Sequence, residues 1–100
     1  MTTKTLLVRL TPSIVYSPQC FRPDIKYLNY ALVVEQLLHA YYLEALRRFS
    51  EDDFRNAGFP DWTRGRFKEM AEHERTHKEF LESAIVAAGS DHVQPANYDL

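Results

Sequence analysis

From Pro23 to Phe49 the chain reads PDIKYLNYALVVEQLLHAYYLEALRRF, with no Gly and no further Pro after the first residue. Apolar residues recur every three or four positions, which predicts one long helix. Asp24 is its expected N-cap, and Arg47 and Arg48 fall where cations suit a helix C-terminus. SEDDFRNAGFPDW follows. Ser50 and Asp53 have capping-box spacing, with Asp in place of Glu, and Gly58 and Pro60 form a stop, so one short helical turn is expected inside a connector. A second long helix is predicted from about Asp61 or Trp62 to Ala88, closed by Gly89. Both long helices come to about 26 residues, roughly 39 Å, and equal lengths suit an antiparallel hairpin. The chain is therefore predicted all-α. Residues 1–23 are expected to be a poorly ordered leader, 24–89 the hairpin, and 90–100 an extended tail.

Helical angles sharpen this picture. With Glu35 at zero and about 100° per residue, Leu28, Ala31, Leu32, Leu38, Tyr42, Leu46 and Phe49 lie within about 60°, so Glu35 is expected in the middle of an apolar stripe. The far side carries Tyr30, Val33, Leu37 and Ala40 before turning charged at Glu44 and Arg48. A helix apolar nearly all round belongs in the interior of something larger: more helices, a dimer, or a missing portion of the protein. On the second helix, with Glu74 at zero, Thr63, Phe67, Met70, Ala71, Leu81, Ile85 and Ala88 fall within about 60°, together with His77. Lys78 is an exception able to snorkel outward.

Each helix thus sets a carboxylate in its apolar face. An unpaired buried charge costs several kcal/mol, and no Arg lies near either stripe centre. A salt bridge, protonation or a cation must compensate, and a divalent or trivalent metal suits the acids and imidazoles present.

Composition narrows the function classes. A chain of 100 residues with a formal charge of −2, acids and bases interspersed, has no basic field for nucleic acid. No apolar run is long enough for a membrane span, and LLVRL, broken by Arg9, is a poor secretory core, so no signal peptide is expected. Lys4, Arg9 and Arg22 in an acid-free leader only faintly resemble a targeting segment. A single cysteine, Cys20, excludes an internal disulfide and leaves a link between two chains open.

KEMAEHERTHKEF, residues 68–80, holds two overlapping motifs. His73-Glu74-x-x-His77 has the zinc-peptidase spacing, two imidazoles one turn apart with a Glu between. His73 falls about 100° from Glu74, at the stripe edge, and the Gly and His that extend such sites are replaced by Phe80 and Ser83. Glu74-x-x-His77 is the half-motif of carboxylate-bridged di-iron proteins. It keeps both ligands on the core side, with Glu35 at the matching place on the first helix. Spacing alone leaves open that Glu74 and His77 only hydrogen-bond each other. His39, about 40° from Glu35, is a donor behind the ligands or an edge histidine. Tyr42, about 20° away and two turns on, is placed to hydrogen-bond a metal-bound carboxylate or to be a plain core aromatic.

From Tyr27 to Ala88 the chain resembles the ferritin-like family of fungal stress-response and plant desiccation-related proteins. LNYALVVEQLLHAYYLEAL carries the resemblance, with FSEDDFRNAGFPDWTRGRFKEMAEHERTHKEFL, whose connector resembles FxxxxFxxAGF and whose second helix resembles RxxFxxIAxHExxH. It implies a ferritin-like helical hairpin forming half of a four-helix bundle, with Glu35, Glu74 and His77 as metal ligands. It also implies Tyr42 beside them, iron as the cofactor, and ferroxidase-like oxidation as the activity if there is one. Leu38 stands where relatives often carry a second acid. The tail HVQPANYDL resembles the segment linking helices two and three, with Ala96 where Cys is common, and the third and fourth helices are expected to be lacking. A homodimer would supply four helices and the full ligand set, so self-association or a missing second half is the expected partner. The rival expectation is a non-catalytic or truncated helical interaction protein. No residue is assigned as catalytic.

Overall fold

The computed structural model describes residues 18–100, with side chains from Asp24 onward. Three helices follow in order: α1, Pro18–Arg48; α2, Glu51–Asn56; and α3, Thr63–Ala87. The long helices α1 and α3 pack antiparallel, and α2 sits in the connector. The leader expected over residues 1–23 lies mostly outside the described residues, as does the side chain of Cys20. Helix α1 nevertheless begins six residues before Asp24, which is not its cap, and its first turn holds no acid. Proline and the residue before it bias the backbone against helix without forbidding it, and here the helix continues through Pro23.

The connector follows its local sequence closely. Ser50 accepts from the Asp53 amide at 3.1 Å while Asp53 accepts from the Ser50 amide at 2.9 Å, a reciprocal capping box. Helix α2 ends in a Schellman turn. Gly58, at φ 90°, donates to the Arg55 carbonyl and Phe59 to that of Phe54. The Phe54 and Phe59 rings then lie 6.0 Å apart, the apolar contact that accompanies such turns. Helix α3 closes the same way at Gly89, φ 87°, with Ser90 donating to Ile85. Arg64 of α3 reaches back to the carbonyls of Leu46 and Phe49, so its guanidinium caps the C-terminus of α1. Edge-to-face contacts link Tyr42, Phe67, Phe54 and Phe49 at this end and tie α2 to both long helices.

After Gly89 the tail turns back and runs along α1 in the same direction as that helix. Val93 is clamped by two side chains seven residues apart: its amide donates to Asn29 at 2.8 Å and its carbonyl accepts from Gln36 at 3.0 Å. Farther on, Arg48 donates to the Leu100 carbonyl at 2.7 Å. The tail therefore covers the side of α1 bearing Asn29, Gln36, Ala40 and Glu44. The described molecule is only 14 Å deep along its shortest axis, little more than one layer of helix. Its buried residues include Leu32, Gln36, Phe54, Ala71, Glu74 and Ile85.

One consequence corrects the sequence expectation. The buried line of α1 runs through Leu32 and Gln36, about 60–100° round from Glu35, because the tail and α3 share that face. Glu35 sits at the border of the core rather than in its middle. On its other flank Tyr27, Tyr30, Val34, Leu37 and Tyr41 are all exposed.

Candidate metal centre

Three side chains converge across the hairpin. Glu35 comes from α1; Glu74 and His77, one turn apart, come from α3. His77 Nδ1 lies 3.3 Å from Glu35 Oε2 and 3.6 Å from Glu74 Oε2. One ligand atom from each residue falls within 4.8 Å of the others. Helical spacing alone puts Glu74 and His77 on neighbouring angles; bringing Glu35 opposite them requires the packing of α1 on α3.

The surroundings are uneven. Glu74 is buried, and its Oε2 is fully enclosed without a hydrogen-bond partner. The His77 nitrogen stands at salt-bridge range from that oxygen, but 3.6 Å is too long for a hydrogen bond, so the oxygen has no nitrogen donor and only the adjacent Glu35 carboxyl, when protonated, can bond Glu74. Burial, and then the Glu74 carboxyl beside it, push the Glu35 carboxyl above the ordinary carboxylate range, and His77 opposes them. His77 itself is largely exposed, its side chain 58 % accessible. The cluster is therefore closed at Glu74 and open at His77.

An enclosed, unpartnered carboxylate oxygen beside a second carboxylate and an imidazole is costly as it stands. It is also a donor set that suits a first-row transition ion. These residues fit a metal. They supply one nitrogen and two carboxylates from one side only, so further donors must come from elsewhere.

The other candidates take different places. His73 is exposed and stands apart from this cluster, so the zinc-peptidase spacing does not bring its two imidazoles together with a third ligand among the described residues. His39 is half-buried, its imidazole held below the ordinary range by burial and by the nearby Lys78 and Arg75 cations. Tyr42 packs edge-on against Phe67 and Tyr41, both at 5.4 Å. No hydrogen bond joins it to Glu35 among the described residues. The sequence reasoning missed the Asn29–Gln36 clamp; two amides at i and i+7 in an apolar helix were the available signal.

The open side of the cluster has a consistent character. Antiparallel helices viewed along one direction turn in opposite senses, so residues preceding Glu35 and Glu74 in angle share one face of the hairpin. On α1 these are Tyr27, Val34 and Tyr41; on α3 they are Met70, His73, His77 and Phe80. All seven are exposed. A groove of about 480 Å³, lined by Tyr27, Tyr30, Ala31, Val34 and Glu35, opens there. Among the described residues no helix is long and apolar enough to cross a membrane.

No curated protein and no solved structure matches the chain significantly. A family profile described as "Ferritin-like domain" matches residues 23–100, a span that takes in Glu35, Glu74, His77 and the tail. A match over that span, on a chain whose two long antiparallel helices converge one Glu and one Glu-x-x-His, places this protein in the ferritin-like domain family.

Proposed function

We propose that this hairpin supplies half of a dinuclear carboxylate metal site for iron, completed by a second copy of the chain in a homodimer. The observation that carries the proposal is the convergence of Glu35, Glu74 and His77 around a buried, unpartnered Glu74 oxygen. Two copies would offer a Glu and a Glu-x-x-His twice over, the donor set that ferritin-like di-iron bundles use. Bound iron would supply redox chemistry, and the two carboxylates from each copy would stabilise the higher charge of a ferric ion. The residues' own part is to bind and orient. Glu35, its carboxyl held above the ordinary range, would ligate in its ionised form, and Glu74 would bind from a buried position. Tyr42 lies on the same helix two turns beyond Glu35, near enough in angle to act behind the ligands, and His39 lies between them.

The sequence resemblance to fungal stress-response and desiccation-related proteins supports a role in stress physiology. The large exposed apolar face favours one rival, a metal-free helical interaction protein. Equilibrium dialysis with ferrous iron under anaerobic conditions separates the two. The proposal expects binding by the wild type, loss in Glu35→Leu, Glu74→Leu and His77→Ala, and retention in His73→Ala. Absence of bound iron in the wild type refutes it, and loss in His73→Ala would return the peptidase spacing to consideration.

A further inference from the structure

We propose that self-association of this chain is locked to metal. The open face carrying Tyr27, Val34, Tyr41, Met70 and Phe80 docks a second copy when the Glu35–Glu74–His77 clusters are loaded, and the metal-free chain stays apart. The inference rests on the metal reading above and adds where the partner seats and what controls it.

The choice of face follows from what the rest of the fold covers. The tail occupies the opposite side of α1 through Asn29, Gln36 and Arg48. The face bearing the cluster is covered by nothing among the described residues, and large apolar side chains stand open on it, Tyr27 71 %, Tyr41 50 % and Phe80 64 % exposed, with His73 and the Arg66–Glu69 ion pair among them. Two helices each about 25 residues long, roughly 37 Å by 20 Å side by side, present some 750 Å², close to the ~800 Å² per partner of a standard stable interface.

The choice of a second copy as occupant follows from the cluster's position. Glu35 sits midway along the stripe from Tyr27 to Tyr41, and His77 lies between Met70 and Phe80 on α3. A two-fold axis through this centre sets one cluster against its copy while the apolar ends match apolar ends. A partner without acids and imidazoles at its centre would bury the Glu74 oxygen further and leave it unpaired. A second copy provides the missing ligands at the place where they are lacking.

The same symmetry supplies the lock. Two faces meeting without metal would enclose Glu35 and Glu74 from each copy, four carboxylates with the His77 imidazoles beside them and the His73 imidazoles one turn away. Like charges desolvated together oppose association. Cations bound between them reverse the sign, so metal binding and dimerisation become reciprocal: metal tightens the dimer, and higher protein concentration tightens metal binding.

Sedimentation velocity of the full chain with manganese(II), and with a chelator, tests this. The expected species is near the 11.7 kDa chain mass in chelator and about twice that with manganese. In the double variant Glu35→Gln, Glu74→Gln the repulsion is gone, and dimers indifferent to chelator are expected. Phe80→Glu with Val34→Glu, both at exposed positions, should bind manganese at least tenfold more weakly and stay monomeric. A wild type that binds manganese as a monomer overturns the docking while sparing the metal reading. A wild-type dimer unaffected by chelator overturns the lock. A wild type that binds neither manganese nor iron removes the metal reading itself and the lock with it. A double Gln variant that stays monomeric overturns the charge argument.

Discussion

Replacing Glu35 by Leu asks whether the acid at the border of the core is there for stability or for ligation. The Glu35 side chain is 22 % accessible, so about three-quarters of a leucine placed there would be buried. Complete burial of leucine is worth ~1.5–3 kcal/mol, which gives a gain of roughly 1–2 kcal/mol in the metal-free protein, before adding the relief of Glu74. For a domain of this size that raises the melting temperature by about 4–8 °C per kcal/mol. The wild type should instead gain ~2.7 kcal/mol from ferrous iron at a hundred times its dissociation constant, and the variant nothing. The two proteins should therefore exchange rank: Glu35→Leu more stable in chelator, the wild type more stable with iron. Urea unfolding followed by far-ultraviolet circular dichroism, run anaerobically in both conditions at one protein concentration, reads the crossing. A variant that loses stability in chelator and keeps the full iron-induced gain would refute the reasoning, because Glu35 would then be structural and not a ligand.

Other expectations follow from the same geometry. Because the folded state raises the Glu35 carboxyl above its ordinary range, the folded metal-free protein holds that proton more tightly than the unfolded chain. The associated stability is present below the ordinary value near 4.5 and is lost as pH rises through the raised one. Glu35→Gln should flatten this slope in urea titrations at several pH values. Ser50→Ala removes one arm of the capping box and should cost about 1 kcal/mol in thermal melts, with metal binding untouched. Gln36→Ala removes the Gln36 donor from the Val93 carbonyl, which keeps His92 Nδ1 at 2.9 Å, and should cost about 1 kcal/mol, with faster amide exchange at Val93 as the local sign.

The local sequence was informative wherever a rule acts within a turn or two of chain. The capping box at Ser50 and Asp53, the glycine stops at 58 and 89, and the span of α3 all rest on contacts between residues close in sequence. The pairing of Glu74 with His77 was legible for the same reason. The start of α1 was misjudged because proline signals are preferences, and a helix continued by its neighbours can pass through one. Taking Glu35 as the centre of a buried stripe failed differently. Several angles on α1 are apolar, and pattern alone could not say which of them α3 and the tail would cover.

Periodicity, caps and spacing were thus enough for two long helices, a capped connector and a carboxylate–imidazole pair on one of them. The packing of α1 on α3 was needed to bring Glu35 within reach of His77 and to enclose one Glu74 oxygen. The return of the tail along α1 decided which apolar side is covered and which remains open around the cluster. The division has a physical basis. A helix forms from bonds to the residue four back, which the sequence displays directly, whereas the relative rotation of two helices and a strap depends on side-chain fit between segments some forty to sixty residues apart.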